Sequence, residues 1–144
     1  MQLCLVEFTR PDRVTGEFLS QDFIDTVSKH SIDEIILFQP TDRICPELRE
    51  ELKAKFPEST LRPEQLDPIS SQGILYEMRQ QPWNLLREIL AKLDESQESI
   101  FVLGRGSSLL QHMMWLSAGI RGAEALFLDA PSAEPLQAGI SGIN

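Results

Sequence analysis

Ile100-Phe101-Val102-Leu103-Gly104-Arg105-Gly106-Ser107-Ser108-Leu109-Leu110-Gln111-His112-Met113-Met114-Trp115 reads as strand, tight turn and helix in one short stretch. Four consecutive apolar residues suit a strand buried on both faces, as in a parallel sheet. Gly104 and Gly106 let the backbone turn sharply and approach a ligand closely. Ser107 or Ser108 can cap the helix that starts there, and the free N–H groups of its first turn, aided by the helix dipole, suit a phosphate. Arg105 adds a fixed positive charge. The spacing matches neither G-x-x-x-x-G-K-[ST] nor G-x-G-x-x-G, because Leu109 stands at the third glycine position of the latter. Two readings therefore stay open at this point: a phosphate site, or a plain tight connection.

Working outward, the same alternation recurs along the chain. Residues 2–8 and 33–39 are apolar runs that read as buried strands, each followed by a loop rich in turn formers, Thr9–Gly16 and Pro40–Arg43. Phe18, Leu19, Phe23, Ile24 and Val27 predict a helix over 17–29, with His30 at its C-terminal end, where the dipole favours a cation. Pro46, then Leu48, Leu52 and Phe56 at four-residue spacing, predict a second helix whose charged positions face water. Residues 59–66 suit a short edge strand, since Pro63 is tolerated at an edge. Asp67-Pro68 signals a helix start, and Gly73 and Pro82 break the pattern of residues 67–95 into a helix over 74–81 and a second from 82 to about 94, either separate or joined by a kink. After the opening stretch, the nearly all-apolar helix 109–120 calls for burial between layers or in an oligomer interface. Ala123–Asp129 is a last strand.

Strands alternating with helices predict an α/β, Rossmann-like fold: a mostly parallel sheet of about five strands with helices on both faces. Ligands in such sheets bind beyond the carboxyl ends of the strands, which gathers loops 9–16, 40–43 and 104–108 around one crevice. The chain of 144 residues reads as a single domain over 1–130, with 131–144 a loose tail or an extra edge strand. The absence of a long apolar run or a signal-like leader, and only two cysteines, predict a soluble cytoplasmic protein without a disulfide framework. A net charge of -9 excludes a coat for long nucleic acids, whose affinity depends on neutralising many phosphates. It leaves room for a small anion held by a few local arginines.

The order of pieces in the C-terminal half resembles that of the CRISPR-associated Rossmann fold (CARF) domains. The residues that carry the resemblance are Asp67-Pro68, Ile74-Leu75-Tyr76-Glu77, the amphipathic run 85–93, the strand 100–103, Gly104-Arg105-Gly106-Ser107-Ser108, the apolar helix 109–120 and Gly122-Ala123-Glu124. The family's turn is usually close to Thr-Gly-Gly-Thr-Lys; here Arg105 stands where the first glycine often is and Ser108 where lysine often is. The resemblance implies a homodimer that binds cyclic oligoadenylate second messengers across its two-fold axis, in CRISPR defence signalling.

Family members usually carry an effector domain after this one, so a stand-alone domain is expected to be either a ring nuclease or a sensor acting on a separate partner. Family ring nucleases generally need no metal, and no other cofactor is expected. A third reading, an α/β enzyme acting on a sugar phosphate or ordinary nucleotide, uses the same turn. The candidate ligand contacts are Thr9, Arg10, Arg13, Thr41, Gly104, Arg105, Gly106, Ser107 and Ser108, with Arg105, Ser107 and Ser108 as the candidate catalytic groups. His112, five residues past Ser107, either faces the crevice as an acid or metal ligand or is a packing histidine; packing is the favoured reading, because no second ligand stands at (i, i+4) spacing and the nearest carboxylates are distant in sequence. Met113-Met114-Trp115 reads as core or dimer packing.

Overall fold

The structure, a computed structural model, describes residues 1–40, 44–66, 74–105, 108–128 and 136–137. Six strands form one sheet: β1 (Gln2–Val6), β2 (Glu34–Gln39), β3 (Thr60–Gln65), β4 (Ser99–Leu103), β5 (Glu124–Phe127) and the two-residue β6 (Leu136–Gln137), in the order β3-β2-β1-β4-β5-β6. The first five are mutually parallel, and β6 pairs antiparallel with β5. Among the described residues, four helices join the first five strands: α1 (Gln21–Val27), α2 (Pro46–Lys55), α3 (Ile74–Ala91) and α4 (Ser108–Arg121). This is the expected Rossmann-like arrangement, and strand order reverses between β1 and β4.

Side chains of β1 point alternately to the two faces. Leu3 and Leu5 join a core with Phe23, Val27, Leu48 and Leu52 of α1 and α2, while Cys4 and Val6 join one with Leu85, Ile89, Leu110 and Met114 of α3 and α4. Both faces are covered, which is why β1 and β4 are buried along their whole length. Burial pushes the Cys4 thiol far above its usual range, so it packs as an apolar side chain. Pro63 lies within β3, as an edge position allows, since only one side of that strand needs partners.

Three elements differ from expectation. The first helix is shorter than 17–29 because the Glu51 carboxylate of α2 accepts hydrogen bonds from the backbone N–H groups of Phe18 (3.2 Å) and Leu19 (2.6 Å), holding that segment outside the helix. Ser20 then caps α1 through the N–H of Phe23. The expected break at Pro82 does not occur, and α3 is one helix. Proline's fixed φ is compatible with a helix, and burial of Leu85, Leu86 and Ile89 offsets the lost backbone hydrogen bond. The charged positions of α2 are not all solvated: Arg49 reaches inward to Glu7, just past β1. Asp67-Pro68 and Gly73 lie outside the described residues. Among the described residues, no helix is long and apolar enough to cross a membrane.

Candidate functional site

The carboxyl ends of β1 and β4 launch the two loops that meet at the reversal point. After β1, Glu7 and Phe8 stay buried, and the chain then surfaces at Thr9, Arg10 and Pro11. The loop closes on Asp12, whose carboxylate accepts from the N–H groups of Val14 (2.8 Å) and Thr15 (3.0 Å) while its own N–H donates to Glu17 O. Those backbone donors hold the Asp12 carboxyl below its ordinary range, with a smaller contribution from the charge of Arg105.

Gly104 begins the bend after β4 at φ 128°, a conformation side chains disfavour. Arg105 turns from it toward the β1 loop. Its guanidinium lies 5.1 Å from the centre of the Phe8 ring, and one of its N–H groups donates to Arg10 O at 2.9 Å. Phe8 in turn packs against Phe18, centroids 5.8 Å apart. The space left among Leu5, Phe8, Val102, Arg105 and Leu128 is about 10 Å³, barely one water. The side chain expected to clamp a ligand thus fastens the two loops and fills the crevice between them.

Open space lies on the other side of β4. An opening of about 550 Å³ is lined by Gly104, Ser108, Gln111, His112, Trp115 and Phe127, together with Leu103. Gln111 lies at its edge: its side-chain oxygen accepts from Gly104 N–H at 2.9 Å, and its amide nitrogen donates to Arg105 O, so one residue of α4 holds the first two residues of the bend. His112 is exposed on the rim, with Nδ1 2.8 Å from Ser108 O. This overturns its expected role as a packing residue, because α4 turns Leu110, Met113 and Met114 to the sheet and leaves position 112 outward. Trp115 and Phe127, ring centres 6.5 Å apart, form an apolar wall.

Of the expected site residues, Gly104 and Ser108 line this opening. Arg105 backs it from the β1 side. Thr9, Arg10 and Arg13 are exposed on the β1 loop and are not part of its lining. Thr41, Gly106 and Ser107 lie outside the described residues. Sequence reasoning missed Gln111, although a lone amide in a run of apolar helix residues was a signal. It also missed a buried network beside the site: the Glu7 carboxylate accepts from Arg49 Nε (2.8 Å), a terminal Arg49 N–H (3.0 Å) and the Cys45 backbone N–H (3.0 Å), and Arg49 also donates to the Gln39 side chain (3.0 Å). That network ties the start of α2 to the ends of β1 and β2. The Glu7 hydrogen bonds also hold Arg49 more firmly protonated than an ordinary guanidinium.

A second opening, about 450 Å³, sits at the opposite ends of the strands, with Glu95, Glu98, Glu124 and Arg121 in its lining. Three carboxylates there disfavour an anion, and the carboxyl ends of the strands are where parallel sheets take ligands.

The fold and the position of the opening define a doubly wound α/β protein with a cavity beside a glycine bend at the carboxyl ends of its strands. Among solved structures the chain is similar to Can2 from Sulfobacillus thermosulfidooxidans, determined in complex with cyclic tetra-adenylate. The match has a TM-score of 0.52 and 11% identity over 94% of this chain, and the chain spans 34% of the length of that structure. The likeness is one of fold and agrees with the fold implied by the CARF resemblance. No protein-family model matches the chain, and no curated protein sequence matches it.

Proposed function

We propose that this chain acts in the cytoplasm as a homodimer that binds a cyclic oligoadenylate in type III CRISPR signalling and opens the ring without a metal. The observation that carries the reading is the glycine bend facing a cavity of about 550 Å³ at the carboxyl ends of the strands. The shared fold with a protein solved bound to cyclic tetra-adenylate supports it. A second copy is supported by the outer face of α4, where Leu116 and Ile120 are 44% and 62% exposed beside Trp115. Pairing two copies along that face would cover the exposed apolar side chains.

Ring opening of this kind has the ribose 2′-hydroxyl attack the adjacent phosphate. It asks the protein for positioning and for donors aimed at the developing charge. Ser108 on the cavity wall and the amides of the 104–108 bend, with Ser107 and Gly106, would meet the phosphate. Arg105 holds that bend in register with the β1 loop carrying Thr9, Arg10 and Arg13.

One observation favours a non-catalytic sensor as the second reading: the guanidinium of Arg105 lies on Phe8 and on Arg10 O rather than in the cavity wall. Incubating the pure protein with cyclic tetra- and hexa-adenylate separates the readings. Binding with linear products supports the ring nuclease, and binding without products supports the sensor. Absence of binding even at high micromolar protein refutes both.

A further inference from the structure

We infer that His112 is the group that takes the proton from the attacking ribose hydroxyl, an assignment that rests on the proposed ring-opening reading. Nδ1 of His112 lies 2.8 Å from Ser108 O, one turn back along α4. A carbonyl oxygen can only accept, so Nδ1 carries the hydrogen. In the neutral ring the lone pair is then on Nε2, at the edge of the imidazole away from its own helix backbone. Fixing one ring nitrogen on a carbonyl so that the other is presented with a defined role is how histidines are prepared for proton transfer.

The place is also right. His112 shares the cavity with Gly104 and Ser108, the two described residues of the phosphate-facing bend that line it. Arg105 is directed to the far side of β4. Among the described residues lining the cavity, His112 is the one that carries an imidazole. The role expected for it from sequence, filling the core, is taken by Leu110, Met113 and Met114.

The step balances without a co-reactant. Nε2 accepts the 2′-hydroxyl proton as the 2′ oxygen bonds to phosphorus. The bond from phosphorus to the 5′ oxygen breaks, and that oxygen takes a proton from solvent. The imidazolium returns its proton to solvent, leaving a 2′,3′-cyclic phosphate and a 5′-hydroxyl.

The test compares wild type with His112→Ala in single-turnover cleavage of cyclic tetra-adenylate, with the dissociation constant measured separately. The position is exposed and alanine favours helix, so the variant keeps the fold. Cleavage should fall by about 100-fold or more while affinity changes only a few-fold, and free imidazole should restore part of the rate. Cleavage within about threefold of wild type overturns the assignment and leaves the ring-nuclease reading standing. A slow variant that imidazole does not restore gives His112 a packing role and also overturns it. Wild type that binds but does not cleave overturns it in favour of the sensor, and wild type that does not bind removes the underlying reading.

Discussion

Gln111 offers the sharpest test of how the bend is held. Gln111→Leu removes both of its hydrogen bonds with little change in side-chain volume or helix propensity. The bond from Gly104 N–H is exposed, so water replaces most of it and about 0.5 kcal/mol is lost. The bond to Arg105 O is partly buried and contributes about 1 kcal/mol. Together the loss is about 1.5 kcal/mol, which at an m-value of about 2 kcal/mol/M lowers the urea midpoint by about 0.7 M. Gln111→Glu is the control: it keeps an acceptor for Gly104 N–H but sets a carboxylate oxygen against the Arg105 carbonyl, so it should destabilise as well. If the bend is the ligand cradle, a released bend must be re-ordered on binding. A penalty of about 1 kcal/mol then weakens cyclic tetra-adenylate about fivefold. Urea midpoints of both variants equal to wild type would refute the clamp. A lowered midpoint with unchanged affinity would place the ligand elsewhere.

Two further outcomes are expected. Glu7→Ala strands the Arg49 guanidinium and the Cys45 N–H beside the ends of β1 and β2. Because the Glu7 side chain is only 2% exposed, the cost should be about 3 kcal/mol, a drop of about 6–12 °C in Tm. Adding Arg49→Met should recover part of it, and a double variant no more stable than the single one would deny the pair its role. Asp94 accepts from the Ser96 hydroxyl and N–H and from the Gln97 amide, which lowers its carboxyl pKa from the ordinary value. A depressed folded-state pKa means the stabilisation is complete above about pH 4 and is lost as pH falls through the folded value. The gap in urea midpoint between wild type and Asp94→Asn should therefore close on acidification, and a gap independent of pH would contradict the assignment.

The strands and most helices were legible because their signals are local. Runs such as Ile35–Phe38 and Ile100–Leu103 are apolar enough to demand burial on both faces, and Leu48 and Leu52 lie one turn apart on any helix. Pro82 misled because its cost is also local, whereas the burial of Leu85, Leu86 and Ile89 that overrides it depends on a sheet assembled from distant segments. The length of α1 was hidden for the same reason: Glu51, which withdraws Phe18 and Leu19 from the helix, comes more than thirty residues later.

The amino-acid order by itself determined an α/β chain, a glycine bend at the end of a buried strand and an apolar helix after it, since hydrophobic period and turn chemistry act between near neighbours. Tertiary structure decided which way that bend faces. Arg105 meets a backbone carbonyl 95 positions away and lies on Phe8, Gln111 folds back on the bend, and His112 is turned to the cavity rather than the core. Such choices depend on which side of β4 is already filled, a property of the assembled sheet and not of any one segment.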